Sequence, residues 1–255
     1  MKEHGTLFKA DMVRALYREV DPKTQTRRLF TRHNSLVDGR RATPALWADL
    51  DFDAAWVDAG PSPAGNAGPY LKVPRRSEGT VHRVYATISI GDRLWVRETW
   101  APEQYDAHAA TVAAVEASVR KPAYRADFEG EPAYKWRPGI HMPRDACRIV
   151  LEVTALRIER LQQIGETDAI AEGITFTDYG RKCGHKGGWT EIGDCPAAEN
   201  THPQLPGWGV EPTSHMQCMH SAPAAYASLW SQINGADSWA ANPFIRAYEF
   251  RRTAS

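Results

Sequence analysis

Cys147-Arg-Ile-Val-Leu-Glu-Val-Thr154 places Ile149, Leu151 and Val153 on one side and charged residues on the other. A period of two over this length is the signature of a half-buried β-strand. Leu156 to Leu161 reads as a second strand directly after it. Upstream, Lys135-Trp-Arg-Pro-Gly-Ile-His-Met-Pro-Arg144 must be a loop, because its prolines and glycine forbid regular structure. Further back, Val84 to Ile90 is β-branched and alternating, Gly91-Asp92 is a turn, and Arg93 to Trp100 reads as the next strand. Thr6 to Phe8 and Tyr124 to Phe128 read as short strands, and Phe244 to Arg251 as a closing one. No strand–helix–strand rhythm links them. The pattern predicts an α+β protein with a small mixed or barrel-like β-core, not a doubly wound sheet.

Helices are few. Met12, Leu16 and Val20, with Ala15, predict a helix over about residues 10–19, stopped by Asp21-Pro22. Gly165 to Gly173 reads as a short helix with Gly165 as N-cap, Glu166 and Asp168 at the positive end, and Glu172 at the unfavourable C-terminal end. Ser221-Ala-Pro223 caps a helix whose Tyr226, Leu229, Trp230 and Ile233 form an apolar core face, ended by Asn234-Gly235. Three segments read as insertions in a single domain spanning 1–255. Residues 31–82 are a Gly/Pro-rich loop carrying an Arg75-Arg76 pair. Residues 102–123 include an alanine-rich stretch, 105–119, expected to be helical. Residues 175–220 are polar and hold three of the four cysteines.

Composition narrows the function classes. With 255 residues, 42% hydrophobic and 24% charged, the chain has the profile of a soluble globular protein. Lys+Arg and Asp+Glu both total 31, so nothing drives the whole surface toward nucleic acid, and any such site must be a local patch. No apolar run is long enough for a membrane span and the first residues carry no signal core, so a cytoplasmic location with reduced cysteines is expected. The high count of nine tryptophans, many beside Arg, Pro or Gly, suits core packing or a pocket lined by flat rings.

Lys23-Thr-Gln-Thr-Arg-Arg28 is the densest chemical stretch. It has no apolar residue, so on its own it reads as a solvated basic turn rather than core. Its adjacent arginines offer forked donors for phosphate, and a lysine near a threonine can be a base beside a nucleophile.

Set in order, several stretches resemble the ASCH-domain proteins of phage and prophage genomes. They are Met12-Val-Arg-Ala-Leu16, Lys23 to Arg28, Gly91 to Trp100, Lys135 to Arg144, Asp168-Ala-Ile-Ala-Glu-Gly-Ile174, Leu229-Trp-Ser-Gln-Ile-Asn-Gly235, and Trp239 with Asn242-Pro243. The resemblance covers most of the chain outside 31–82 and 175–220. It implies a PUA-like small β-barrel with flanking helices, and the handling of RNA, DNA or modified nucleosides. One bacterial branch is similar in its Lys-Thr-x-Thr-x-Arg stretch and hydrolyses the amide of N4-acetylcytidine with a Lys, a Thr and a Glu. Those roles fall here on Lys23, Thr26 and Glu172. The sequence departs from that pattern at Glu19-Val-Asp-Pro22, at Asp145-Ala-Cys147 and at Gly165.

The resemblance implies that Thr26 attacks or positions a water, Lys23 takes its proton, and Glu172 orients the lysine or returns a proton to the leaving amine. Arg27, Arg28, Arg97, Trp136, Arg137, His141 and Arg144 are candidates for clamping phosphate and stacking a base. The rival is a non-catalytic RNA- or DNA-binding module of the same fold. The proposed chemistry requires no cofactor. Cys183, Cys195, Cys218 and His220 have ligand types suited to a structural zinc, with His202 and His215 near by, although no close Cys-x-x-Cys pair is present; free thiols in a loop are the alternative. Glu98 pairs with a neighbouring cation or belongs to the pocket.

Overall fold

The long alternating segment forms one continuous strand at the centre of the molecule. In the computed structural model, residues 1–59, 68–102, 122–128, 135–177, 182–183, 190–191, 207–211 and 218–253 are described. In chain order they form β1 (Glu3–Leu7), α1 (Ala10–Leu16), β2 (Gln25–Leu29), β3 (Ser35–Val37), α2 (Pro44–Asp49), β4 (Trp56–Asp58), β5 (Tyr70–Pro74), β6 (Val81–Ala86) and β7 (Arg93–Arg97). They continue with β8 (Trp100–Ala101), β9 (Ala123–Tyr124), β10 (Val150–Arg160), α3 (Glu166–Ala171), β11 (Thr175–Phe176), β12 (Lys182–Cys183), β13 (Thr190–Glu191), β14 (Trp208–Gly209), α4 (Ala222–Asn234) and β15 (Phe244–Arg252). The protein is a mixed α+β fold.

The main sheet has five strands in the order β1-β7-β10-β15-β2, with β1 parallel to β7 and the other pairs antiparallel. The sequence separates two strands at Thr154; the structure joins them. The register shifts between Val153 and Ala155, so a bulge takes up one residue. It lets Leu151 and Val153 before it, and Leu156 after it, enter the same core despite their change of phase. Full burial of each such side chain contributes roughly 1.5–3 kcal/mol.

β15 separates two cores. Tyr248 and Phe250 face Phe8, Leu94, Val96 and the β10 residues on one side. Ile245 and Ala247 face Ala169, Ile174, Tyr226, Leu229 and Trp230, from α3, α4 and the turn after α3, on the other. α4 begins as its sequence predicts: the Ser221 hydroxyl accepts from the Ala224 N–H at 3.3 Å.

Two expectations need correction. Residues 31–82 are not simply a loop: β3, β5 and β4 join β6, which overlaps the strand expected from Val84, in a four-stranded antiparallel sheet packed on Ile158 and Phe244, and α2 joins that core. Arg75 and Arg76 there are paired with Asp49, Glu78 and Asp51. Nor is the Lys23–Arg28 stretch an exposed turn. Gln25–Leu29 is edge strand β2, and Lys23, Gln25, Thr26 and Arg27 are all buried. The alanine-rich 105–119 lies outside the described residues. Among the described residues, no helix is long and apolar enough to cross a membrane.

Candidate functional site

β1 and β2 are the two outer strands of the sheet, and no backbone ladder joins them among the described residues. A side chain bridges them instead: Arg28 Nη2 donates to the Leu7 carbonyl at 2.7 Å. Along this seam runs a cavity of about 410 Å³. Its lining includes Leu7 and Phe8 at the end of β1, Thr26 to Leu29 of β2, and Glu172. Tyr226, Leu229, Trp230 and Ile233 of α4 make an apolar wall, with Pro138 to Ile140 and Arg97 also on the lining.

Backbone pairing fixes which β2 side chains face which way. Arg27 lies opposite Ala247 and Gln25 opposite Glu249, so both lie on the helix side of the sheet. Thr26 lies opposite Tyr248 and Arg28 opposite Arg246, on the other face. The cavity wraps the free edge and touches both sets.

Lys23 precedes β2 and is held from both flanks. Its N–H donates to Ala15 O at 2.9 Å, and the Thr24 N–H donates to Ala171 O at 2.9 Å. Its ammonium donates to Glu172 Oε2 at 2.8 Å and to the Glu172 carbonyl at 2.5 Å, with the lysine side chain fully out of solvent. Glu172 is the C-cap residue of α3, so the carbonyl it presents is one that the helix leaves unpaired. The cation beside it offsets the unfavourable carboxylate at that helix end. Gly173 follows with φ of 103°, a left-handed conformation that suits glycine, and an added Cβ would lie 3.2 Å from the Ala15 Cβ.

Arg27 organises the acids around this pair. Nη1 donates to Glu172 Oε1 at 3.2 Å; Nη2 donates to Glu159 Oε1 at 2.8 Å and Asp168 Oδ2 at 2.9 Å. The other Asp168 oxygen accepts from Gln25 Nε2 and Arg157 Nη2, both at 2.9 Å. The two Phe8-facing cations are Lys23, 6.0 Å from the ring centroid, and Arg28, at 5.6 Å.

The electrostatics follow from burial. Loss of solvent pushes the Lys23 pKa down; Glu172 acts against this, while Arg28 and Arg27 add to it. Burial also pulls Arg28 below its ordinary value, with Glu172 opposing. For Arg27 burial acts downward too, but Glu172 and Glu159 outweigh it and the net shift is upward. Burial works to raise Asp168, yet the hydrogen bonds from Arg157 and Gln25 and the Arg27 charge hold it below the usual carboxylate range.

Of the residues singled out from the sequence, Lys23 and Glu172 touch, and Thr26, Arg27, Arg28, Arg97 and Glu172 line one cavity. Arg97 is tied to the loop: Nε donates to Gly139 O at 3.1 Å and Nη2 to Ile140 O. Lys23 itself, sealed behind Glu172, is not on the lining, and neither are Trp136, Arg137, His141 and Arg144. Trp136 packs edge-on to Phe128, and Arg137 lies 5.7 Å from the Trp100 centroid. Arg144 pairs with Glu3 at 2.9 Å on the surface, and His141 is exposed. The loop instead lends Pro138, Gly139 and Ile140 to the cavity. Buried Glu98 is held by Arg148 through two bonds of 2.9 Å, away from the cavity. The acid network of Asp168 and Glu159 and the wall residue Tyr226 were not among the predicted site residues. One signal existed: Asp168 and Glu172 are four apart on one helix, a like-charge spacing that asks for a cation between them.

The candidate zinc ligands are divided. Cys218 is buried, and burial pushes its thiol pKa up. Cys183 is described only as a backbone position in β12, and Cys195, His202 and His215 lie outside the described residues. Among the described residues, no three His, Cys, Asp or Glu side chains cluster as a metal site.

Comparisons with protein-family models, curated proteins and solved structures find no match to this chain.

Proposed function

We propose that the protein is an amidohydrolase that removes the N4-acyl group of a modified cytidine, on an ASCH-type, PUA-like scaffold whose barrel is left open between β1 and β2. The observation that carries this reading is the 2.8 Å Lys23–Glu172 contact beside a cavity also lined by Thr26. A lysine and a carboxylate sealed from water, the carboxylate on the lining of a ligand-sized space that Thr26 also lines, suit acyl transfer better than simple phosphate binding.

In this reaction water adds across the amide C–N bond and gives a carboxylate and the free amine. Thr26 Oγ attacks the carbonyl carbon, and water then hydrolyses the acyl-threonine ester once the amine has left, or Thr26 aims a water that attacks the amide directly. Lys23 receives the nucleophile's proton after passing its own to Glu172, a transfer that leaves a neutral amine and a carboxylic acid. Glu172 then protonates the departing nitrogen. Burial favours the uncharged lysine needed for the first step. The apolar α4 wall suits the flat base and its acyl group.

A second reading, a binding module for RNA or DNA, has less support. It takes Lys23, Arg27, Arg28, Arg137 and Arg144 as phosphate contacts and Trp136 as a stacking ring; Arg27 and Arg28 line the cavity, but Trp136, Arg137 and Arg144 do not. The half-buried Arg28 and the loop-bound Arg97 suit a nucleoside or single nucleotide better than a strand.

Incubating the full chain with N4-acetylcytidine and following cytidine by chromatography tests the proposal. Cytidine should form, and Lys23→Ala and Thr26→Ala should abolish it. Absence of product, with oligonucleotide binding that weakens steeply with salt, would replace hydrolysis by the binding reading.

A further inference from the structure

We propose that Tyr226 is a further catalytic residue, whose phenolic O–H donates to the carbonyl oxygen of the scissile amide and holds the negative charge that develops there. The inference rests on the hydrolase reading and supplies what that reading lacks, a stabiliser for the oxyanion.

The periodicity of α4 assigns Tyr226 to the core, and its ring does pack near Trp230 and Trp239, with centroids at 6.2 and 6.4 Å. Yet it also lines the cavity that Thr26 and Glu172 line. The Arg27 guanidinium lies 5.8 Å from its ring centroid. The residue is only 4% exposed, so the part of it that lines the cavity belongs to a nearly dry wall. Burial and then the Glu172 carboxylate push its pKa well above the ordinary tyrosine value, with Arg27 and Arg28 acting the other way. The phenol is therefore protonated, and a donor, at neutral pH.

The arginines on the lining are engaged in part, and the Nε atoms of Arg27 and Arg28 have no hydrogen-bond partner among the described residues. Arg27 is bound to three carboxylates, Arg97 to two loop carbonyls, and Arg28 Nη2 to Leu7 O. Trp230 is also on this wall, and its indole N–H has no hydrogen-bond partner. Changing Tyr226 alone separates the two. The tyrosine keeps its proton throughout: the carbonyl oxygen gains charge as the nucleophile adds and loses it again when the C–N bond breaks.

The test is Tyr226→Phe in the full chain, which keeps the ring and removes the donor. Deacylation of N4-acetylcytidine should lose about 10²-fold in kcat. KM should stay within a few-fold, and calorimetric binding of cytidine, which has no acyl carbonyl, and the Tm should match wild type. A variant that turns over at the wild-type rate overturns the role of Tyr226 and leaves the hydrolase reading standing. Equal loss of cytidine binding and of activity also overturns it, because the residue would then only shape the wall. A wild-type protein that makes no cytidine overturns the hydrolase reading, and this role with it.

Discussion

Lys23 and Glu172, 149 residues apart in sequence, form a buried ion pair of 2.8 Å in which the ammonium also caps the glutamate's own carbonyl. Breaking one side of such a pair strands a charge without water, which typically costs about 3–5 kcal/mol. Glu172→Leu should therefore lower unfolding stability in urea by about that amount. The double variant Lys23→Met with Glu172→Leu should recover much of the loss, because neither charge remains. A double variant no more stable than the single one would mean that packing, not charge compensation, dominates here.

Alkaline pH probes the same lysine. Its folded pKa is depressed, chiefly by burial, below lysine's ordinary 10.5. Between those two values the unfolded chain binds more protons than the folded one, so stability attributable to Lys23 rises with pH. The difference in unfolding free energy between wild type and Lys23→Met should grow through this window and level off above it. A difference that shrinks as pH rises would show the pair raising the lysine pKa instead.

Gly173 is a backbone test. Gly173→Ala meets both a φ of 103° and the Ala15 methyl at 3.2 Å. The expected cost is at least about 1 kcal/mol. For a chain of this size that lowers Tm by roughly 2–4 °C per kcal/mol. Because the Lys23 side chain packs over the same glycine, the substitution should also reduce deacylation; an unchanged Tm would remove this account of the turn.

Asp168 acts on the site through Arg27. Asp168→Asn leaves Glu159 and Glu172 as the acids on that guanidinium, so Arg27 should pair more closely with Glu172 and draw it from Lys23. Lys23 would lose part of the charge that raises its pKa. The lysine titration, followed by NMR of its side chain, should move to lower pH; no movement would make Asp168 irrelevant to the pair.

The arginines separate by location. Arg144→Ala removes a surface pair with Glu3 that solvent screens, and should leave nucleoside affinity unchanged. Arg28→Ala removes a cation from the cavity lining and should weaken nucleotide binding by isothermal titration. Equal effects of the two would argue that ligands use the outer surface.

The fold was readable where packing is local. The α3 helix with its Gly165 and Gly173 ends, the Ser221 cap of α4 and the closing strand follow from periodicity and capping residues alone. Thr154 misled because a bulge changes the phase of alternation without ending a strand. The strands within 31–82 were hidden by their length of three to five residues and by the Gly and Pro around them, whereas their neighbour β6 overlaps a strand that alternation shows. Lys23 with a nearby threonine stands out as a base beside a nucleophile, and Glu172 as an acid at the wrong end of a helix, but only the family resemblance joins the three. Composition argued that such polar residues lie in water, because the partners that permit their burial are remote in sequence. Trp136, Arg137 and Arg144 had suitable chemistry, but nothing local in sequence reports which side of a loop faces a cavity.

The Arg28–Leu7 bridge has a mechanical consequence. A barrel closed by a backbone ladder yields only when several hydrogen bonds break together. Here the two borders of the sheet are fastened by one side-chain donor, and a hydrogen bond from a charged group contributes about 1.5–3 kcal/mol net. Releasing that bond needs a side-chain rotamer change, a faster event than parting a ladder of backbone hydrogen bonds.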